Sequence, residues 1–136
     1  MINNIETYLT YQNIYLIVNW GVLPLWLMLL FIPNHYLTRF FTNSVVVPFL
    51  LSATYIFISY KIYLDGSIFE GFNLYLGIDS LYSLFSEESF LLIFWIHFLS
   101  ISLFVGAYIA RDAEKYLVPR FLSFISLLIT YLAGPV

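Results

Sequence analysis

The sequence predicts an all-α, polytopic membrane protein of one domain: a bundle of four transmembrane helices with a short interfacial helix between spans two and three. Three observations carry this. Of the 136 residues, 62% are hydrophobic, 21% aromatic and 10% charged, whereas soluble domains are about 45–50% apolar and about 25% charged. A soluble core this small could not hide so much apolar surface. The apolar residues also gather in four runs that match, or nearly match, the roughly 20 helical residues needed to cross about 30 Å of hydrocarbon. No stretch alternates with period two, as the strands of a barrel would.

The first span covers residues 14–32, interrupted by Asn19 and Pro24 and closed by Pro33, Asn34 and His35. The second covers 45–63, with Pro48 in its first turn, where proline is tolerated. In the 64–89 segment, Gly66, Gly71 and Gly77 punctuate a mixture of apolar and acidic residues. There Ile78, Leu81, Tyr82 and Phe85 fall at helical spacing, with Asp79, Ser80 and Ser83 off that stripe. The pattern fits an amphipathic helix lying in the interface; an ordered loop capping the bundle is the other reading. The third span covers 90–110, with His97 as its one ionisable residue, and the fourth covers 121–135. The fourth is short, about 24 Å from Phe121 to Val136, and lacks a polar flank, as in a truncated chain or one whose natural end lies a few residues further on. No basic n-region precedes the first span, so that span is expected to direct insertion itself.

Five Lys and Arg against eight Asp and Glu leave no positive footprint for nucleic acid. With no cysteine, disulfides, thiolate metal sites and thiol catalysis are excluded. Arg39, Arg111, Lys115 and Arg120 fall in the loops on one side, and Lys61 falls on the other with Glu6, Asp65, Glu70, Asp79, Glu87 and Glu88. The positive-inside rule then puts both termini and the 64–89 loop on the non-cytoplasmic side. Tyr8, Tyr11, Tyr15, Tyr60, Tyr63 and Tyr131 at the outer side, and Tyr36, Tyr108 and Tyr116 at the inner, read as aromatic belts. Ser102, Gly106 and Ala110 recur every four residues in span three, as do Ser126, Thr130 and Gly134 in span four, so these two helices are expected to pack closely.

Polar groups inside lipid each need a partner or a task. Counting residues from the span ends puts Asn19, Tyr55, His97 and Thr130 at similar depth, as one polar layer inside the bundle. His97 is the candidate general acid or base, with Tyr55 and Asn19 beside it as catalytic candidates; a neutral histidine that fixes helix packing is the bland alternative. Trp20, Trp26 and Trp95 are candidates to line an apolar pocket, with Ser102 and Thr130 nearby. Arg111 and Asp112 either satisfy a helix end and lipid phosphates or form an ion pair at the inner mouth of a cavity. No metal or other cofactor is expected: His35 and His97 lie about 20 Å apart along the membrane normal, and no span carries a carboxylate.

Three stretches resemble a known family: Asn19-Trp-Gly-Val-Leu-Pro-Leu-Trp26 with Pro33; Trp95-Ile-His97 through Ser102 and Gly106 to Arg111-Asp112-Ala113; and Leu132-Ala-Gly134-Pro135-Val136. They resemble the abscisic-acid-deficient-4-like family, whose plant members are plastid membrane proteins needed to make neoxanthin from violaxanthin. This chain has Ser102 and Ala107 where relatives commonly carry an aspartate and a basic or polar residue. The resemblance implies an isomerase of a carotenoid or other isoprenoid lipid, in which an epoxide oxygen is protonated and a distant proton removed. His97 would serve as one of the two groups and Tyr55 is the candidate for the other. A non-catalytic lipophile-binding or partner-assembly protein is the alternative. A small transporter subunit is disfavoured, because no span carries a carboxylate or charge pair. The expected partners are membrane lipids and a carotenoid or isoprenoid ligand, with self-association left open.

Overall fold

The four apolar runs all fold as helices in the computed structural model, which describes residues 10–43 and 46–134. Glu6, Tyr8, Val45 and Pro135–Val136 lie outside the described residues. In chain order, α1 is Tyr11–Phe31, α2 Tyr36–Asn43, α3 Val46–Leu64, then a 3-10 helix Ser67–Tyr75, α4 Ile78–Phe85, α5 Glu88–Lys115 and α6 Arg120–Ala133. No strand occurs among the described residues.

The ends of these helices follow from local chemistry. The Thr10 side chain accepts from the Asn13 N–H at 3.3 Å and caps α1. The helix stops ahead of Pro33, which cannot supply the next N–H. After the turn, His35 Nδ1 accepts from the Leu37 N–H at 3.3 Å, so that histidine is part of the entry to α2. Gly66 and Gly77 flank the 3-10 helix with φ of +79° and +133°, conformations that side-chain-bearing residues rarely adopt.

The long helix α5 is the hub. It packs against α1, α3 and α6, and α6 packs in turn on α1. The buried stripe of α1 is Ile14, Val18, Val22, Trp26 and Leu29, the spacing of one helical face. Val47, Leu51, Ile58 and Ile62 of α3 and Leu127 of α6 complete the core around Leu92, Ile96, Leu99 and Leu103 of α5. The outward faces are apolar too: Ile17, Phe49, Leu50, Ile56, Phe104, Ile129 and Leu132 are all exposed.

By length and composition, α1 and α5 suffice to cross a membrane; α6 and the Phe49–Leu64 stretch of α3 are shorter. The length criterion is thus met by two of the four expected spans. The interfacial segment contains the helix its periodicity suggested, α4, but Leu84 is the residue it buries, while Ile78 and Tyr82 point away. Helix α2 was not anticipated.

The bundle has two ends. At the Tyr11 end, the Lys61 ammonium lies over the rings of Tyr11 at 5.6 Å and Phe57 at 5.5 Å. At the Phe31 end, an Arg39–Glu114 ion pair ties α2 to α5, and the Arg120 guanidinium donates to the Phe31 carbonyl, tying the start of α6 to the end of α1.

Candidate functional site

The polar residues of the spans do not gather in one internal layer. Thr130 alone of the four is buried, and its hydroxyl donates to the Ser126 carbonyl at 2.8 Å, within its own helix. Asn19 is half-buried on α1. His97 and Tyr55 do come together, with ring centroids 6.0 Å apart and planes tilted by 46°, but on an exposed face shared by α3 and α5. Equal depth along the spans does not fix the angular position of each residue around its helix axis, and that position points this pair outward. No hydrogen bond engages the His97 imidazole among the described residues, and the residue is exposed.

The three tryptophans part company in the same way. Trp20 faces outward. Trp26 is buried, its indole lying on α5 at Gly106 and 5.3 Å from the Tyr131 ring of α6. A Cβ at position 106 would fall 2.7 Å from that indole. The small-residue ridge on α5 therefore serves chiefly to admit a side chain from α1, and α5 and α6 pack together beside it. Tyr131, expected in a belt, is part of this interior contact. Ser102 is 1% exposed, and its Oγ, Trp26 Nε1 and Trp95 Nε1 are buried without a hydrogen-bond partner among the described residues.

Trp95 belongs to a third environment. It stacks on Phe98 with centroids 5.5 Å apart, and lies 6.4 Å from the Tyr15 ring. With Tyr11, Gln12, Tyr15, Leu91 and Leu92 it lines a mainly apolar groove of about 430 Å³ at the Tyr11 end, rimmed by Glu88. Tyr11, Gln12 and Glu88 also border a polar depression of about 600 Å³ with Thr10, Lys61 and Asp65. Two residues turn an α-helix by about 200°, so Trp95 and His97 project from opposite sides of α5. The groove and the histidine are two sites.

Arg111 and Asp112 do not form the ion pair considered for the inner mouth. Arg111 is exposed, 6.0 Å from the Tyr108 ring centroid. Asp112 borders a shallow pocket of about 340 Å³ with Tyr108, Tyr116, Leu122 and Ser126. Among the described residues the ion pair at that end is Arg39–Glu114, which brings together charges 75 positions apart in the chain. Sequence reading also passed over Tyr11, Gln12, Lys61, Asp65 and Glu88 as a cluster. The signal available was their common position at helix ends that must meet in an up-and-down bundle.

The family model for ABA DEFICIENT 4-like proteins matches residues 13–136. The chain belongs to the ABA4-like family. The matched region takes in His97, Tyr55, all three tryptophans and, of the Tyr11-end groove, Tyr15, Glu88, Leu91, Leu92 and Trp95, while Tyr11 and Gln12 lie ahead of it. No curated protein and no solved structure gives a match. In this ABA4-like chain, Ser102 and Ala107 lie in the core, at 1% and 4% exposure, so whatever occupies these two positions acts inside the bundle.

Proposed function

We propose that this ABA4-like protein is a four-helix, membrane-embedded bundle that acts on an isoprenoid lipid, a carotenoid in keeping with the family's link to neoxanthin synthesis. The observation that carries the reading is the His97–Tyr55 pair, 6.0 Å apart on an outward face of α3 and α5. A long, flat substrate dissolved in the bilayer reaches such a face sideways and needs no enclosed pocket. His97 delivers a proton to the substrate oxygen as the carbon–oxygen bond opens, and the imidazole nitrogen so vacated takes up the proton that leaves the carbon chain, which returns the site to its starting state. Tyr55 is suited to hold that oxygen by its hydroxyl. The bundle sits with the Phe31 end, which carries Arg39, Arg111, Lys115 and Arg120, on the cytoplasmic side or its equivalent, and with the 64–89 segment opposite.

The test is expression in a carotenoid-producing host with and without His97→Ala, with pigments separated by chromatography. A new product that vanishes in the variant is expected. An unchanged profile, with pigment copurifying equally with both proteins, would sink the chemistry and leave the second reading, a lipophile-binding protein. That reading is favoured by the apolar groove at the Tyr11 end.

A further inference from the structure

Helix α2 is amphipathic in the reverse sense. Thr38, 1% exposed, and Thr42 face the bundle, while Tyr36, Leu37, Phe40 and Phe41 face outward, Tyr36 at 74% exposure. The inward hydroxyls are satisfied: Thr38 donates to the Ile32 carbonyl at 2.7 Å, and Thr42 to the Thr38 carbonyl at 2.5 Å. In water such a helix would turn over, because burying its aromatic side releases more free energy than burying two threonines.

The same inversion recurs at the other end of the bundle. A 3-10 helix brings every third residue to one edge, and here that edge is Phe69, Phe72 and Tyr75, the last 89% exposed. Ile78 and Tyr82 continue it on α4. The carboxylates of this segment gather elsewhere, with Glu70, Asp79 and Glu87 around a separate polar depression.

The spacing of the two ends says what covers these faces. Helix α2 is fastened to α5 at Glu114, and α4 meets it at Phe94, where the Phe85 and Phe94 rings contact edge to face at 4.8 Å. From Phe94 to Glu114 is 20 steps, about 30 Å of helix, which is the thickness of a bilayer's hydrocarbon core. We infer that α2 and the 3-10/α4 segment are a pair of interfacial anchors, one per leaflet, whose aromatic faces lie against lipid at the headgroup boundary and fix the depth of the bundle. A second protein would have no reason to match that interval. The inference rests on the membrane-embedded reading above. It also puts His97, one turn from Phe94, about 5 Å inside the boundary, within reach of protons from the aqueous phase.

With no cysteine in the chain, single-cysteine spin labels can be placed without further changes. Phe40→Cys, Tyr75→Cys and Phe104→Cys, with Leu37→Cys and Phe72→Cys as second choices, are reconstituted in phosphatidylcholine/phosphatidylglycerol vesicles. Collisions with oxygen and with a water-soluble nickel chelate are then compared, and circular dichroism confirms the helix content. The expected result is a large oxygen excess at Phe104 and small, matching excesses at positions 40 and 75. If Phe104 reads deep while 40 and 75 collide freely with nickel, the anchors are wrong and the membrane reading survives. If Phe104 shows no oxygen excess, the membrane reading falls and the anchors with it. Immobilised labels at 40 or 75, shielded from both reagents, would mean a protein partner such as a second copy, and would overturn the assignment to lipid.

Discussion

Individual residues divide sharply by whether they face the bundle interior. Gly106 is where the Trp26 indole lies on α5, so an added Cβ at 2.7 Å has to displace a ring already held by Tyr131. Gly106→Ala is expected to cost about 1–3 kcal/mol, the usual penalty for overfilling a packed core, and Gly106→Leu more. Thermal unfolding in detergent reads both, and an unchanged midpoint would contradict the close approach. Ser102 gives the opposite expectation. Its hydroxyl is buried with no partner among the described residues, and leaving such a group unpaired costs about 1–3 kcal/mol. Ser102→Ala should therefore be neutral or stabilising in the same assay. A clear loss of stability would show that the hydroxyl is bonded after all. At this scale the sequence was informative about which residues needed explaining, since it marked His97, Trp26 and Ser102. It was silent about direction: a residue's distance along a helix can be counted, but whether His97 points at Asn19 or away depends on how three helices are rotated about their axes.

The helical elements were more legible than their neighbours. Apolar runs put the bundle helices within three residues of their observed ends, except that α5 runs on past the expected 110 to Lys115 and takes Arg111 and Asp112 into the helix. Helix α2 escaped for a reason of its own. Its pattern, with Thr38, Arg39 and Thr42 on one side and Tyr36, Leu37, Phe40 and Phe41 on the other, is amphipathic, but with water assumed outside it would bury the side that the structure exposes. The docking of α2 is expected to depend on hydroxyls more than on charge. Thr38→Val removes the bond to the Ile32 carbonyl and should weaken the fold by about 1 kcal/mol. Arg39→Gln breaks an ion pair whose side chains are 52% and 42% exposed, and exposed pairs contribute about 0–1 kcal/mol. Paired melts of the two variants check this order, and a larger loss from Arg39→Gln would reverse it.

For the molecule as a whole, composition pointed to a lipid surround before any element was placed; two helices are long and apolar enough to cross a membrane, and the outward faces of Phe49, Ile56, Phe104 and Leu132 suit the proposal. The proposed orientation is testable in intact cells. Asp65→Cys is expected to react with a membrane-impermeant maleimide added outside, whereas Tyr116→Cys should react only after permeabilisation. The reverse pattern would invert the bundle. That Trp95 and His97 diverge was legible in the chain, since two residues turn any helix by about 200°; that the Trp95 side borders a groove was not, because the groove exists only where α1 meets α5.

The three tryptophans, dispersed to three environments, have an optical consequence. Trp20 is 68% exposed on an outward face, Trp26 is 2% exposed in the core, and Trp95 borders the groove. The protein thus carries three intrinsic fluorophores, each answering a different question. Brominated acyl chains should quench Trp20 and spare Trp26. A polyene settling in the groove should take up the emission of Trp95 by energy transfer, so that occupancy can be followed by light with no label attached.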